Sequence, residues 1–127
     1  MTRAIVADDD EGMRTAVLEM LQHAGFDAIA CADGAAALRA LRQVSADLII
    51  CDLFMPGLDG LELIREIRRE LPDLKIIAMS GGGFGGAVDL LTTARILGAT
   101  EVLPKPFTRR KLLDAVERAL RSSTDEG

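Results

Sequence analysis

Short apolar runs alternate with amphipathic segments five times along this chain, and this alternation restricts the possible folds more than any other feature. The apolar runs, which predict β-strands, cover residues 4–7, 27–30, 48–51, 76–79 and 101–103. The segments that follow them carry apolar residues at helical spacing and cover residues 12–25, 33–44, 58–71, 87–98 and 108–121. Five repeats of strand and helix predict an α/β fold, in which a doubly wound parallel sheet of five strands carries five helices on its two faces.

Residues at the ends of the helical segments favour the same boundaries. Gly25 and Gly98 are typical C-terminal stops, and Pro72 cannot continue the helix that precedes it. Asp59 and Thr108 are suited to begin the third and fifth helices.

The length and composition fit one domain. The chain has 127 residues, of which 49% are hydrophobic and 28% charged, as is usual for a soluble globular protein. The net charge of -5 argues against direct nucleic-acid binding, which needs a basic surface. We find no apolar tract of about 18 residues and no signal peptide, so we expect no membrane insertion and a cytoplasmic location. We place the domain at residues 1–122, and a tail or the start of a linker at residues 123–127.

The cysteines and the single histidine form no recognisable metal or disulfide pattern. Cys31 and Cys51 lie in or beside predicted strands, without a C-x-x-C motif or a neighbouring histidine. We therefore expect both to be buried, reduced thiols. His23 lies in the first helical segment, and we expect it at the surface.

The strands end in polar residues that could form one site. Three aspartates at residues 8–10 follow the first strand, and Asp52, Ser80 and Lys105 follow the third, fourth and fifth. Ligands of doubly wound sheets bind at the carboxyl ends of the strands, in the crevice where the strand order reverses. We therefore expect these carboxylates, a hydroxyl and an ammonium group to converge.

The chemistry of this set suits magnesium and phosphate. A carboxylate at a buried strand end is unfavourable unless it is paired, and Asp52 beside Asp8 and Asp9 would form a cluster of hard oxygen ligands that suits Mg²⁺. Together with Lys105 and Ser80, these are the groups needed to transfer a phosphoryl group to an aspartate. Each residue alone has an alternative, because a strand-end aspartate or serine can cap a helix or turn and a lysine can be solvated.

Four motifs carry a resemblance to a known family: D-D-D at residues 8–10, D-x-x-M-P-G-x-D-G at residues 52–60, S-G at residues 80–81 and K-P-F at residues 105–107. Over nearly its whole length, the chain resembles the receiver domain of two-component response regulators, of the chemotaxis-regulator type. The resemblance implies a flavodoxin-like fold with strand order 2-1-3-4-5. It also implies a signalling phosphoacceptor of a phosphorelay, which switches conformation to control a downstream target or output domain and is not an enzyme with turnover.

The resemblance assigns roles to single residues. Asp52 would receive the phosphoryl group from the phosphohistidine of a histidine kinase or a histidine phosphotransfer protein. Asp9, Asp52 and the backbone carbonyl of Phe54 would hold Mg²⁺, and Asp8 would act mainly through metal-bound water. Asp10 would have a minor role.

Further roles are implied for the last strands. Lys105 would pair with the phosphate, and Ser80 would bind a phosphoryl oxygen and move on activation. The Lys105–Pro106 peptide bond is expected to be cis. The domain would assist its own phosphorylation and dephosphorylation.

Three features depart from the family pattern. Val102 stands where the family usually has the switch aromatic, so its coupling to Ser80 would differ. Phe54 stands where many relatives have a polar side chain, and could exclude the water that hydrolyses the acyl phosphate. The segment after Ser80 is longer than usual, with the excess in the glycine-rich residues 81–86, where a mobile loop is the simplest interpretation.

Three alternatives compete with this interpretation. A G-x-G-x-x-G pattern at residues 81–86, with Glu101 after it, would suit a nucleotide, but it lies in the fourth repeat and leaves the other motifs unexplained. A haloacid-dehalogenase-type phosphatase would be phosphorylated on Asp8, but its D-x-D-G motif needs glycine where Glu11 stands. A pseudo-receiver, which keeps the fold without signalling by phosphate, is the third alternative because Val102 replaces the usual aromatic.

Partner surfaces follow from the resemblance only in outline. We expect a kinase to bind around the first helix. We expect the output to use the fourth helix, the fifth strand and the fifth helix, where Arg109, Arg110 and Lys111 are candidates.

Overall fold

The computed structural model describes residues 1–81 and 86–122, with only the backbone described for residues 86–89. Within these residues, the strands are β1 (Arg3–Ala7), β2 (Asp27–Cys31), β3 (Leu48–Asp52), β4 (Lys75–Gly81) and β5 (Glu101–Lys105). The helices are α1 (Glu11–His23), α2 (Gly34–Gln43), α3 (Gly60–Glu70), α4 (Gly86–Leu97) and α5 (Arg109–Arg121). The strands form one parallel sheet in the order β2-β1-β3-β4-β5, which confirms the predicted flavodoxin-like fold. None of the described helices is long and apolar enough to cross a membrane.

The strands that carry polar residues run farther than the apolar pattern predicts. β3 includes Asp52, β4 runs through Ser80 to Gly81, and β5 runs to Lys105. The backbone pairing continues past the apolar residues, because Ser80 pairs with Pro104 and Gly81 with Lys105. Ladder hydrogen bonds join backbone groups whatever the side-chain polarity, so an apolar pattern cannot show where a ladder ends. The polar residues expected after these strands therefore lie at their ends.

Two hydrophobic cores, one on each face of the sheet, position the helices. α2, α3 and α4 pack on one face through side chains such as Leu41, Ile64 and Leu91. α1 and α5 pack on the other face through side chains such as Val17 and Leu112. Alternate residues of β1 and β3 enter opposite cores, and both strands are almost wholly buried, as expected of inner strands. This double packing fixes the strand ends at which the polar residues lie.

Side-chain caps begin four of the described helices. In each, the capping oxygen accepts a hydrogen bond from a backbone N–H of the first turn, and the caps are Asp10 in α1, Asp33 in α2, Asp59 in α3 and Thr108 in α5. The caps of α3 and α5 confirm the predictions made for them. Positive φ angles at Gly25 and Gly98 follow the ends of α1 and α4, also as predicted.

Arg68 fastens the end of α3 to two neighbouring segments. Its guanidinium donates to the carbonyl of Gly98, at 3.0 Å from Nε and 2.7 Å from Nη2, and Nη1 donates to the carbonyl of Leu74 at 2.6 Å. Nη1 also donates to the carbonyl of Pro72 at 3.1 Å. Burial lowers the pKa of Arg68, and the charge of Asp73 opposes this effect. The side chain thus joins α3, the segment that leads into β4 and the turn between α4 and β5.

Both cysteines are buried and free, as predicted. They lie on the strands that flank β1, because Ala7 pairs with Cys31 on one side and with Cys51 on the other. Burial raises the pKa of both thiols, that of Cys51 to about 12. His23 is exposed at the end of α1, which agrees with its predicted surface position.

Candidate functional site

The carboxyl edge of the sheet brings Asp8, Asp52 and Lys105 together. Asp8 follows β1, Asp52 ends β3 and Lys105 ends β5. Lys105 Nζ lies 3.1 Å from Asp8 Oδ2 and 3.3 Å from Asp52 Oδ1, and all three side chains are largely buried. The Lys105–Pro106 peptide bond that follows is cis, as predicted. One ammonium group therefore links two buried carboxylates, which is the convergence expected from the strand ends.

Asp8 is fully buried and is bonded through its side chain and its backbone. Its Oδ1 accepts a hydrogen bond from the Asp10 N–H at 3.0 Å, and its Oδ2 accepts one from Lys105 Nζ at 3.1 Å. Its own N–H donates to the Cys31 carbonyl at 3.2 Å, and its carbonyl accepts from Arg14 Nη1 at 2.9 Å. Each carboxylate oxygen of Asp8 thus has a donor from the protein.

Asp52 is buried, yet its Oδ1 has no hydrogen-bond partner among the described residues. Lys105 Nζ lies 3.3 Å from this oxygen, which is an ion-pair distance. One oxygen from each of Asp8, Asp9 and Asp52 lies within 4.8 Å of the others, and Asp9 is exposed. A buried carboxylate oxygen without a donor is unfavourable unless a cation or an added donor reaches it. Three carboxylate oxygens this close to one another are hard ligands of the kind that fits Mg²⁺.

The electrostatics of the site oppose the ionisation of Asp52. Burial raises the pKa of its carboxyl, the charge of Lys105 opposes this rise, and the charges of Asp8 and Asp9 add to it. For Lys105, burial lowers the pKa, but the attraction of Asp52 and Asp8 outweighs burial and raises it overall. The lysine therefore stays charged, while one positive charge is shared among several acids. A cation bound to the carboxylates would favour their ionised form.

Ser80 adds an unused donor on the neighbouring strand. Its side chain is 1% exposed, and its Oγ has no hydrogen-bond partner among the residues that the structure describes. Gly81, which follows it, pairs with Lys105 across β4 and β5. The lysine stem passes close to this glycine, because a Cβ on Gly81 would lie 3.6 Å from Lys105 Cδ. The hydroxyl and the ammonium group are therefore carried by paired strands.

A cleft of about 490 Å³ opens beside Asp8, Asp9 and Asp52, which we call the acidic cluster. It is lined by the loop after β3 and by parts of β1–α1, α3 and α4, namely Asp9, Leu53, Phe54, Met55, Pro56, Asp59, Leu61 and Leu90. The side chain of Phe54 is 56% exposed at this cleft. A cavity of similar volume, about 500 Å³, lies among the ends of α2, α3 and α5 and contains none of the predicted site residues. Of the predicted site residues, Asp9 and Phe54 line the first cleft, which gives the acidic cluster an opening to solvent on the Asp9 side.

A sequence model of the response regulator receiver domain matches residues 4–117. The chain belongs to this family. It is 38% identical over 122 residues to the DNA-binding transcriptional regulator NtrC of Azospirillum brasilense, in a match that covers 94% of this chain and 24% of NtrC. It is 34% identical over 120 residues to the response regulator receiver protein CpdR of Brucella abortus, covering 94% of this chain and 98% of CpdR.

Solved structures agree with the family assignment. The crystal structure of the receiver domain of NtrX from Brucella abortus matches with a TM-score of 0.88 at 31% identity, covering 94% of this chain and 99% of that one. Some relatives are much longer than this receiver domain, which spans 24% of NtrC. The shared region is therefore the receiver domain.

Val102 of the receiver domain packs against the core on the α4 side of the sheet. It is half-buried and pairs with Ala78 of β4. Ser80 lies two residues after Ala78, so Val102 and Ser80 lie on the same face of the sheet. A β-branched side chain is short and stiff at χ1, so Val102 cannot swing between distant positions as an aromatic ring could.

The geometry also bears on the alternatives. The Asp10 carboxylate accepts a hydrogen bond from the Met13 N–H at 3.2 Å and is outside the acidic cluster, whereas a dehalogenase-type phosphatase would pair it with Asp8. The glycine-rich segment is only partly described, because residues 82–85 lie outside the described residues. The interpretation of that segment stays a sequence-based prediction.

The sequence analysis did not predict the contacts that Asp10 and Arg14 make beside the site. Asp10 caps α1, and an aspartate directly before a helical pattern is a recognised signal for such a cap. Arg14 donates to the carbonyl of Asp8, and no sequence pattern indicates this contact. Both residues act on the loop between β1 and α1.

Proposed function

We propose that this receiver domain accepts a phosphoryl group on Asp52 from the phosphohistidine of a histidine kinase or a histidine phosphotransfer protein. The observation that carries the proposal is the buried Asp52 carboxylate, whose Oδ1 lacks a hydrogen-bond donor and lies 3.3 Å from the Lys105 ammonium. An oxygen without a donor is available as a nucleophile, and the adjacent positive charge can hold an incoming phosphoryl group.

The residues that we propose to hold Mg²⁺ are Asp9, Asp52 and the backbone carbonyl of Phe54. Asp8 differs from them, because both of its carboxylate oxygens already accept hydrogen bonds, and we expect it to act mainly through metal-bound water. Bound Mg²⁺ would supply positive charge to the oxygens of the phosphoryl group.

In the transfer, an Asp52 carboxylate oxygen attacks phosphorus, so that an O–P bond forms and the P–N bond to the donor imidazole breaks. The imidazole leaves with the electron pair of that bond and takes a proton from solvent. Lys105 pairs with one phosphoryl oxygen, and the Ser80 hydroxyl donates to another. The product is an aspartyl phosphate on the domain itself. The domain thereby assists its own phosphorylation and, later, the hydrolysis of this aspartyl phosphate. It acts as a signalling phosphoacceptor, with no turnover of a separate substrate.

Signalling then depends on a second conformation that contacts to the phosphoryl group favour. We propose that Ser80 moves toward the phosphoryl group and that Val102, on the same face of the sheet, carries the change to β5 and α4. A downstream target or output domain would bind at α4, β5 and α5, where Arg109, Arg110 and Lys111 are exposed. The kinase would bind around α1.

The extent and setting of the domain are also proposals. We place the receiver domain at residues 1–122, because α5 ends at Arg121. We assign residues 123–127 to a tail or the start of a linker, and the domain to the cytoplasm. With a net charge of -5, we expect no direct nucleic-acid binding by this chain.

Phosphorylation by a small donor tests the proposal. The protein would be incubated with Mg²⁺ and acetyl phosphate, and its intact mass measured by mass spectrometry. We expect one added phosphoryl group in the wild type and none in Asp52→Ala or in EDTA. A wild type that neither gains phosphate nor binds Mg²⁺ in a titration would favour the pseudo-receiver instead.

Phe54 tests how the phosphorylated state is preserved. Its aromatic side chain lies at the cleft beside Asp9, where it can limit the approach of water to the acyl phosphate. We expect Phe54→Asn to lose phosphate several-fold faster than the wild type, measured as the decay of the phosphorylated mass after removal of the donor. Leu61→Asn, on the α3 side of the same cleft, is the control and should change the decay little. Equal decay of Phe54→Asn and the wild type would refute this role.

A further inference from the structure

We propose that Arg14 is a positioning residue, which fixes the backbone of the loop between β1 and α1 and thereby sets the cation affinity of the site. The proposal rests on the Mg²⁺ binding proposed above. It concerns a residue that contacts neither the phosphoryl group nor the cation, and that acts through Asp8 and Asp9.

The contact that carries the proposal is the hydrogen bond from Arg14 Nη1 to the backbone carbonyl of Asp8, at 2.9 Å. β1 ends at Ala7, so this carbonyl lies just beyond the strand, in the loop that carries the acids. Arg14 is itself partly buried, which restricts the motion of its side chain. A charged donor makes a stronger hydrogen bond than a neutral one, so this contact holds the loop more firmly than water would.

Two further hydrogen bonds hold the backbone on either side of Asp9. The Arg14 N–H donates to the Asp10 carbonyl at 2.9 Å, and the Asp10 N–H donates to Asp8 Oδ1 at 3.0 Å. With the Arg14 side chain on the Asp8 carbonyl, the residues on both sides of Asp9 are tied to α1. Asp9 is exposed, so the position of its carboxylate depends on this backbone rather than on packing around the side chain.

A simple charge effect would act in the opposite direction. The positive guanidinium near the carboxylates repels a divalent cation, so removal of the charge alone should tighten Mg²⁺ binding. Loss of positioning should weaken Mg²⁺ binding. Substitution of a residue that orients metal ligands typically lowers the metal affinity by about 10- to 100-fold. The direction of the change therefore separates the two roles.

Arg39 of α2 provides a matched control. Burial raises the pKa of Cys31, and the charges of Arg39 and Arg14 both oppose this rise, so both guanidinium groups act on the same region. Arg39 is exposed, and no hydrogen bond from it to the β1–α1 loop is found among the described residues. Arg39→Gln therefore removes a nearby positive charge without removing the loop contact.

The test is a calorimetric titration of Mg²⁺ into the wild type, Arg14→Gln, Arg14→Lys and Arg39→Gln, with the Tm of each measured in EDTA. We expect Arg14→Gln to raise the Kd for Mg²⁺ about 10-fold, Arg14→Lys to restore part of the affinity, and Arg39→Gln to leave the Kd unchanged or slightly lower. Because a merely structural role would lower the Tm without changing the Kd of the folded protein, the two measurements are independent.

An unchanged or lower Kd in Arg14→Gln would overturn the proposal while the wild type still binds Mg²⁺. If Arg14→Gln does not fold, Arg14→Lys decides, because the proposal requires its Kd to exceed that of the wild type. A wild type that binds no Mg²⁺ would instead refute the proposed magnesium site, and the positioning role with it.

Discussion

At the scale of single residues, the site depends on a carboxylate that the protein leaves only partly compensated. Asp52 is buried, its Oδ1 lacks a donor, and its pKa is raised, mainly by burial. When the pKa of an acid is higher in the folded protein than in the unfolded chain, the free energy of unfolding falls as the pH rises from the unfolded-state pKa to the folded-state pKa. Below its ordinary pKa of about 4, the side chain is neutral in both states and the effect vanishes.

The Asp52→Asn substitution tests this electrostatic cost. We expect the variant to be more stable than the wild type by about 1 kcal/mol in EDTA near neutral pH, because the amide is uncharged. The difference should shrink as the pH falls toward the ordinary pKa of an aspartate. Thermal unfolding followed by circular dichroism measures it, with Asp114→Asn on the exposed side of α5 as the control.

Added Mg²⁺ should reverse the order of the two proteins. A ligand that binds only the folded state raises its stability, and the wild type keeps the full set of acids. An Asp52→Asn variant that melts below the wild type in EDTA would contradict this account of the site.

The placement of the candidate site residues at one edge of the sheet could be predicted because their positions follow from topology. Asp8, Asp52, Ser80 and Lys105 stand at the ends of apolar runs, and the strands of a parallel sheet end at a common edge. The role of Arg14 could not be predicted, because it depends on the direction in which one long side chain turns back over a loop. Sequence periodicity contains no information on that direction.

At the scale of secondary-structure elements, the N-terminus of α3 is packed tightly against the strand that carries Asp52. A Cβ on Gly60 would lie 2.5 Å from the Asp52 carbonyl oxygen and 2.5 Å from Leu53 Cα. Both contacts are with backbone, which cannot give way as a flexible side chain can. Asp59 caps this helix, so the Asp-Gly pair both begins α3 and allows it to approach β3.

The same substitution at two glycines tests this packing. Gly60→Ala should destabilise the protein by about 2–4 kcal/mol, because the added methyl group overlaps backbone atoms. Gly12→Ala in α1 should stabilise it by about 0.5 kcal/mol, because a Cβ there meets nothing within 4 Å and alanine favours a helix. Urea unfolding of both variants measures the two changes, and a Gly60→Ala protein as stable as the wild type would contradict the packing argument.

The existence of the strands and helices could be predicted from the sequence, whereas the lengths of the strands were predicted less well. All five strands and the caps of α3 and α5 follow from apolar spacing and capping residues. The extension of β4 to Gly81 and of β5 to Lys105 arises from pairing between the two strands, which no local pattern records.

At the scale of the whole molecule, helices pack on both faces of the sheet, and the polar residues of the candidate site lie along its carboxyl edge. α4 covers the face that carries Ser80 and Val102, and α1 and α5 cover the other. We therefore expect a change at the edge to reach the α4 face through β4 and β5.

The most direct test of the account is a residue-level map of the phosphoryl group after reaction with acetyl phosphate and Mg²⁺. The aspartyl phosphate would be reduced with borohydride to homoserine, and the modified residue located by peptide mass spectrometry. The account predicts a single modified position, Asp52, with none in a sample treated with EDTA. Modification at Asp8 would indicate phosphatase-like chemistry, and modification at any position other than Asp52 would contradict the central claim.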